Sequence, residues 1–568
     1  MQHIGRERKD KLFNFRPIFF MAVFLCVGIV FSYLRIFHGV SLWWLFLLTG
    51  LSIPFAFCGK RGLLKTALAV LLLIASFFVG FYCFYVQMRK QENVTVYNNV
   101  HRVQGTVEDK IEGRYYACLI LKDITVAKNE EEFKLIAYMP SAFCENVELY
   151  DKVFLYGKVT TDPKEYTAGN FSAHAIREGI RYRMEEVESC VVVGKKFDFF
   201  GSIRIRIAEV LYRGMDKETA SVTMAVLTGN TAGIEDGLLE NMRYGGIAHI
   251  FAVSGLHVGA LFAFCIFLTS KTPLRKMPKI ARFFLVAFLL IFYGGICGFS
   301  ASVIRATVLC LVGYAAKLLG VSVDRFEALG LGGIIVLLIS PVELFSPGFQ
   351  LSFLACLGIF LWYKPLEKWG NHVCVEFVNY VHARRALKQF SKSIGKQTES
   401  ITAGKTIQEA SEEKSLVTLS EKARRGVISF LSVSISTQLA TAPVCLHTFG
   451  YLSGWSLLLN IFFVPFISGA FSTLLIFVII ACILPTSAAP IVLYVPNVVW
   501  SAVLLLFEGC DFSTFALDGI TLNVGAFICY YGGLSFFSDK WNVSVKFRKC
   551  FFVLFALAFV IITFVLNI

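Results

Sequence analysis

The densest group of polar side chains inside an apolar stretch is His249, Ser254 and His257. On a helix, Ser254 and His257 share one face, and His249 lies about 80° around the axis from His257. A serine beside an imidazole is the pairing used in nucleophilic catalysis, which also needs an orienting carboxylate. No Asp or Glu occurs between Glu240 and Asp324. The hydrolase interpretation therefore needs a distant carboxylate, and polar contact between helices is the alternative.

A second group follows at Ser302 and Arg305, at the start of an apolar segment. An Arg at the centre of a bilayer costs about 3 kcal/mol on insertion scales, so it should face water or a partner. Its planar fork suits phosphate oxygens, but pairing with Glu343 or with backbone carbonyls is the structural alternative. The small residues Gly255 and Gly259 form a small-x-x-x-small pair that favours close helix packing.

Polar side chains recur further along in apolar segments, at Gln350, Ser352, Gln438 and Asn460. The last two are followed five residues later by prolines. Side chains of this kind beside helix breaks are typical of a hydrated path through discontinuous helices. Each alone is also consistent with ordinary helix packing.

The composition indicates what must position these residues. The chain has 568 residues, of which 56% are hydrophobic and 17% charged, and its mean hydropathy is +0.65. This excludes soluble, fibrous and disordered proteins. It predicts a polytopic α-helical membrane protein with about 12–13 spans. We expect three spans in 1–86, and the channel-forming helices in 246–568, interrupted by a flexible cytoplasmic loop at 364–426.

Between these regions the pattern changes. In 87–201, apolar and polar residues alternate over four short runs, 102–108, 115–125, 133–138 and 153–160, which predict a small β-barrel. Residues 202–245 are amphipathic and too polar to span, so we expect interfacial helices there. Strand aromatics such as Tyr138 and Tyr156 are candidates for stacking, although they more often belong to a core.

Charge placement predicts the topology. The net charge of +14 comes largely from the N-terminus and from loops such as 270–282 and 364–426, each +5 by count of the sequence. The positive-inside rule puts these in the cytoplasm and the β segment outside. Cys118 and Cys144 would then be candidates for an extracellular disulfide. No zinc-like spacing and no Walker A motif occurs, so we expect no metal and no cofactor.

The motifs resemble those of the ComEC-type competence proteins, the inner-membrane DNA channels of natural transformation. The resemblance rests on the ordered segments 249–258, 300–306, Asp324 with 328–329, 348–353, Gln438 to Pro443 and Asn460 to Pro465. It also includes 153–159 and 169–171, which are similar to the family's external OB-like domain. It covers roughly residues 20 to 540.

The resemblance implies a channel for single-stranded DNA in the cytoplasmic membrane, and not an enzyme. We expect the path to be lined by His249, Ser254, His257, Ser302, Arg305, Gln350, Ser352 and Asn460. It further implies a DNA-delivery receptor outside, a cytoplasmic helicase or ATPase, and contact with membrane lipid.

The sequence departs from the family's pattern in two places. Phe171-Ser172 replaces the Phe-Asp often found in the family. The metallo-β-lactamase-like metal motif of many members is missing from this sequence, which implies a separate nuclease. The alternatives are a membrane-embedded hydrolase that uses Ser254 and His257, and a small-molecule or lipid transporter.

Overall fold

The structure is a computed structural model of the whole chain. It describes residues 16–41, 63–92, 95, 97, 100–112, 116–126, 129–131, 133–144, 147–161, 172–195, 197–231, 233–247, 253–394, 407–508, 510, 512–519, 522–537 and 544–560. The chain divides into two compact bodies. The first contains residues 16–353 and 465–514, and the second contains the described parts of 354–464 and 515–568.

The first body contains a closed β-barrel. Its strands are β1 (Val100–Glu112), β2 (Tyr116–Val126), β4 (Lys134–Pro140), β5 (Asp151–Thr161) and β6 (Ile180–Lys195), with a two-residue strand β3 (Asn129–Glu130) beside β2. The order is β1-β5-β6-β4-β2, and β2 pairs again with β1. All pairs are antiparallel except β4 with β6, which is parallel. The predicted barrel is therefore confirmed as a closed barrel of five strands.

Alternation along the strands explains the barrel. On β5, Val153, Leu155 and Val159 are buried, whereas Lys152 just before them and Lys158 between the last two are exposed. Because side chains alternate across a strand, the apolar set fills the barrel interior. The sequence prediction found four of the five strands and missed β6, where register shifts against β5 interrupt the alternation.

A short helix, α3 (Ala173–Glu178), connects β5 to β6. It begins at Ser172, whose Oγ accepts a hydrogen bond from the Ala175 N–H at 3.3 Å. Ser and Asp are about equally good at the start of a helix. The replacement of Asp by Ser at this position therefore keeps the capping role.

Two long helices precede the barrel, α1 (Pro17–His38) and α2 (Leu63–Glu92). They approach closely at two glycines. A Cβ at Gly28 would lie 2.0 Å from the Phe77 carbonyl oxygen, and one at Gly80 would lie 2.2 Å from that of Leu25. Small residues that let backbones approach are a common means of helix association in membranes. The predicted span between these helices, 40–58, lies almost wholly outside the described residues.

After the barrel come α4 (Phe199–Gly214), α5 (Lys217–Thr228) and α6 (Asp236–Tyr244). We had expected all three to be interfacial. In α5, every residue from Thr219 to Thr228 is buried, which is typical of an interior helix and not of an amphipathic surface helix. The helix ends at Gly229, whose φ of 85° is left-handed, as expected from the sequence.

The rest of the first body is helical. It contains α7 (Gly255–Lys271), α8 (Lys279–Ile296), α9 (Ala301–Leu319), α10 (Arg325–Ile339) and the start of α11 (Pro347–Ile394), followed later by the end of α13 (Ser456–Ile483), α14 (Ala489–Val492) and α15 (Tyr494–Glu508). The Asp324 side chain caps α10 and forms an ion pair with Arg16 at 2.7 Å. This pair fixes the start of α1 against α10.

The second body contains most of α11, α12 (Ile407–Phe449), the start of α13, α16 (Val524–Phe537), α17 (Val545–Val560) and a small hairpin of β7 (Tyr451–Ser453) with β8 (Ala516–Asp518). The prediction of a flexible loop at 364–426 is wrong for its described residues, since 364–394 and 407–426 extend α11 and α12. Its many Lys, Glu, Arg and Ala residues favour helix even without an apolar face. Residues 395–406 lie outside the described chain.

Seven helices of the described chain are long and apolar enough to cross a membrane, and a pair bent by 60° at 486–507 would make eight. The other predicted spans in the described residues are shorter, for example the 15 residues of α10 and the 14 of α16. A bilayer crossing needs about 20 residues. The protein is thus a multi-pass membrane protein, with fewer full-length spans among its described residues than the sequence predicted.

Candidate functional site

A cavity of about 2870 Å³ lies in the first body, between the barrel and the helices. Its walls come from β1, β2 and β4, from α4 to α6, and from α9 with the end of α8. Cavities that bind small ligands usually measure about 300–1,000 Å³. This cavity is large enough for a polymer segment.

The barrel wall is the outer face of two adjacent strands. Cys118, Ile120 and Lys122 alternate along β2 and line the cavity, and Tyr138 of β4 lies directly opposite Cys118. The Tyr138 side chain is 38% exposed. Tyr156, the other exposed aromatic that the sequence suggested, lies on β5 and outside the cavity lining.

The opposite wall includes one face of α9. The backbone reverses direction at Gly298 and Phe299, which both have positive φ, and α9 then begins after Ser300. Ser300, Ile304 and Thr307 line the cavity, and their spacing puts them on one face of the helix. Ser302 and Arg305 are not among the lining residues.

A chain of ion pairs connects the barrel to its surroundings along this cavity. At one end, Arg177 of α3 lies 3.3 Å from Glu343, a carboxylate that is only 8% exposed. The chain continues through Glu178 (2.7 Å from Arg177), Lys134 (3.5 Å from Glu178), Glu108, Lys122 (3.8 Å from Glu108) and Asp198 (3.3 Å from Lys122). Asp198 caps α4. The barrel is therefore fixed by charged side chains to the short 3-10 helix Pro341–Phe345 at one end and to the start of α4 at the other.

Burial and these pairs change the acidity of the cavity carboxylates. Burial raises the pKa of Asp109, against a hydrogen bond from the Lys110 N–H. For Asp198, burial acts to raise the pKa but is outweighed by the Gly201 N–H and Lys122, so the pKa is lowered. The lining contains eight acidic and six basic side chains. It is not a strongly basic funnel.

Ser254 and His257 have a structural arrangement at the start of α7. Ser254 is the residue before the first helical turn, and its N–H donates to His257 Nδ1 at 3.2 Å, as in a capping box. The Ser254 Oγ lies 3.5 Å from the same nitrogen. The imidazole is fully buried, with its ring 4.6 Å from that of Phe471. Helix capping thus accounts for the serine–histidine spacing without a catalytic role.

Arg305 packs among neighbouring helices. It is 7% exposed, donates to the Ser352 carbonyl oxygen, and lies 5.7 Å from the centre of the Phe353 ring. A Cβ at Gly255 would lie 3.0 Å from its Nη2. The sequence left open whether Arg305 binds phosphate, pairs with Glu343 or contacts backbone carbonyls. In the structure it contacts a backbone carbonyl, and Glu343 pairs with Arg177 instead.

The sequence model of one protein family, described as Competence protein, matches residues 226–542, which is more than half of the chain. The chain belongs to this family. It is also similar to ComE operon protein 3 of Bacillus subtilis (strain 168), with 30% identity over 160 residues. The match covers 28% of this chain and 20% of that protein, so the chain spans about a fifth of the length of its curated relative. No solved structure matches. The resemblance seen in the sequence is thereby confirmed at the level of the family.

The family-matching region (residues 226–542) contains all the predicted path residues. The described ones that belong to the first body are not among the residues that line this cavity. Gln350 donates to the Leu344 carbonyl at 3.0 Å. The Ser352 Oγ and the Asn460 side-chain oxygen are buried without a hydrogen-bond partner in the described chain. Asn460 belongs to the second body, and His249 lies outside the described residues. A Cβ at Gly259 would meet nothing within 4 Å, so only Gly255 of the predicted glycine pair has a close neighbour.

The predicted disulfide is also absent from the described chain, where Cys118 and Cys144 are both free thiols. Burial, with a smaller effect of Asp109, raises the pKa of Cys118 to about 11. Cys144 is fully buried in the barrel core. Among the described residues, no group of three His, Cys, Asp or Glu side chains is placed to hold a metal ion.

Sequence reasoning missed most of the cavity. The lining residues Arg204, Tyr212 and Lys217 come from the segment that was interpreted as interfacial. A usable signal was present, because the charged Arg204 and the aromatic Tyr212 lie on the same side of α4, with the small Ala208 between them. What the sequence could not supply is the position of the barrel above this face.

Proposed function

We propose that this protein takes part in the uptake of single-stranded DNA across the cytoplasmic membrane in natural transformation, and that the cavity is the entrance of the DNA path. Membership of the Competence protein family supports the process. The observation that carries the proposal is the joint wall of the cavity, which the barrel and helix α9 of the family-matching region form together.

The barrel in this proposal is OB-like. The five barrel strands follow one another around the barrel as first, second, third, fifth and fourth, with the third and fifth parallel. In OB folds, the face of the second and third strands binds oligonucleotides. Here these strands are β2 and β4, and their outer face lines the cavity. Aromatic side chains on such a face stack with bases regardless of sequence.

The mixed charge of the lining suits a protein that lets DNA pass through and does not bind it tightly. Conduction requires binding weak enough for the substrate to leave, and a lining of mixed charge holds a polyanion weakly. The cavity volume favours a polymer over a small molecule. In this proposal the barrel and the cavity lie outside and the N-terminus inside, as the charge of the loops predicts. A delivery receptor, a cytoplasmic ATPase and a separate nuclease complete the system.

The test compares Tyr138→Ala with Tyr156→Ala in a transformable host whose own copy is deleted. Both side chains are exposed barrel tyrosines, but only Tyr138 lines the cavity. Losing one stacking contact of about 1–3 kcal/mol should lower the uptake of labelled DNA about 5- to 150-fold in Tyr138→Ala. Tyr156→Ala should stay near the wild type. Equal uptake by both variants at equal protein levels would contradict the cavity entrance, and normal transformation of the deletion strain would contradict the function.

A further inference from the structure

The six basic side chains of the cavity fall into two classes. Four have partners: Lys110 donates to the carbonyls of Cys144 and Val147, Lys122 pairs with Glu108 and Asp198, Arg177 with Glu178 and Glu343, and Lys195 with Glu148. Their positive charges therefore already interact with groups of the protein itself. Such groups are poor candidates for contact with an incoming ligand.

Arg204 and Lys217 form the second class. Their side chains have neither an ion pair nor a hydrogen bond with any described residue, and the Arg204 Nε is buried without a partner. Nearly all buried polar atoms in folded proteins are satisfied, so an orphaned guanidinium nitrogen beside a cavity requires an explanation. A ligand with acceptor oxygens would supply the missing partner.

The position of Arg204 strengthens this argument. It is close enough to Tyr150 and Asp109 of the barrel, and to Asp198 at the start of its own helix, to influence the pKa of all three. It therefore lies where the barrel faces α4. A strand that passes between the barrel face and the helices would pass this guanidinium.

Most cavity carboxylates would not oppose an anion there. Glu108 is paired with Lys122, Glu148 with Lys195, and Glu178 and Glu343 with Arg177. Glu209 lies 3.4 Å from Arg206. Burial raises the pKa of Asp109. The two cations of the second class thus remain the available positive charges facing a polyanion, with Asp109, Glu218 and Glu235 as the remaining carboxylates of the lining.

We propose that Arg204 and Lys217 bind backbone phosphates of single-stranded DNA in the cavity, an inference that rests on the proposed function. Arg204 presents a planar fork that can donate two parallel hydrogen bonds to phosphate oxygens, and Lys217 acts as a point charge. Phosphates carry no sequence information, so these contacts are sequence-independent. The bases then face the Tyr138 side of the cavity.

The test uses the salt dependence of binding. The full chain in zwitterionic nanodiscs is titrated with a fluorescein-labelled twelve-nucleotide oligo-dT at several salt concentrations. Each lost phosphate contact to a single strand should reduce the slope of log K against log salt by about 0.7. We expect this reduction in Arg204→Gln and in Lys217→Gln, and about twice the reduction in the double variant.

Two further variants complete the design. Arg183→Gln removes a barrel cation that lies outside the cavity lining and is 47% exposed, and it should leave the slope unchanged. Arg204→Lys keeps the charge and should keep the slope, which separates charge loss from misfolding. Slopes equal to the wild type in both glutamine variants would overturn the inference while leaving the proposed function intact. A wild-type protein that fails to bind the oligonucleotide would overturn both.

Discussion

The buried histidine at the start of α7 allows a direct test of whether the Ser254–His257 pair is structural. His257 Nδ1 accepts the Ser254 N–H at 3.2 Å, a hydrogen bond that should contribute about 1 kcal/mol net. The contact of its ring with Phe471 at 4.6 Å should add about 1 kcal/mol. His257→Ala removes both and leaves a cavity at a fully buried site, so we expect a loss of about 3 kcal/mol.

His257→Gln is the matched variant, because a Gln at this position of a capping box still accepts the N–H. It should lose only the ring contact, about 1 kcal/mol. Ser254→Asn keeps an equally good cap while removing the hydroxyl. Both variants should therefore be more stable than His257→Ala and should retain DNA uptake.

The assay is thermal denaturation of the purified protein in detergent at one heating rate, since unfolding of such proteins is usually irreversible. Uptake is measured in parallel at equal protein levels. If His257→Gln and Ser254→Asn are both more stable than His257→Ala but lose uptake, the imidazole and the hydroxyl have a chemical role. The capping explanation would then be wrong.

Two further predictions concern the barrel. Arg177→Ala leaves Glu343, which is 8% exposed, without its charged partner, so we expect the free energy of unfolding to fall by about 1–3 kcal/mol. Arg183→Ala removes a more exposed ion pair and should lower the free energy of unfolding by less than about 1 kcal/mol. Thermal denaturation compares the two, and equal effects would contradict the role of the buried carboxylate. A Cys118 pKa of about 11, against an ordinary thiol value of 9.0, leaves about 100-fold less thiolate at neutral pH. Cys118 should therefore be alkylated far more slowly than the exposed Cys510, and its alkylation rate should rise with pH. Site-resolved mass spectrometry measures both rates and would also reveal a disulfide if one forms.

The local elements were largely predictable from sequence, because their signals are local. Strict alternation identified four barrel strands, and Gly229 marked the end of α5. The strand β6 was missed because exposed charges and register shifts break its alternation. The helical extensions of α11 and α12 were missed because their many charged and polar residues are also typical of a flexible loop.

The candidate site was less predictable, because its contacts join distant residues. Arg177 and Glu343 are 166 positions apart, and nothing in the sequence pairs them. The serine–histidine pair was assigned to the DNA path, with a hydrolase as the alternative, because a histidine is not the usual third residue of a capping box. The motifs identified the family correctly, but they did not indicate which of their side chains face open space.

The order of strands in the barrel has a consequence for how the chain folds during synthesis. The last strand, β6, lies between β4 and β5 and closes the gap in the sheet. Until residue 195 has left the ribosome, β4 and β5 each present an unpaired edge, and such edges are prone to wrong pairing. The barrel therefore cannot complete its folding strand by strand, but only in one late step. A chain truncated before β6 should be bound by chaperones or degraded, whereas a released chain truncated within α4 should already contain a protease-resistant domain.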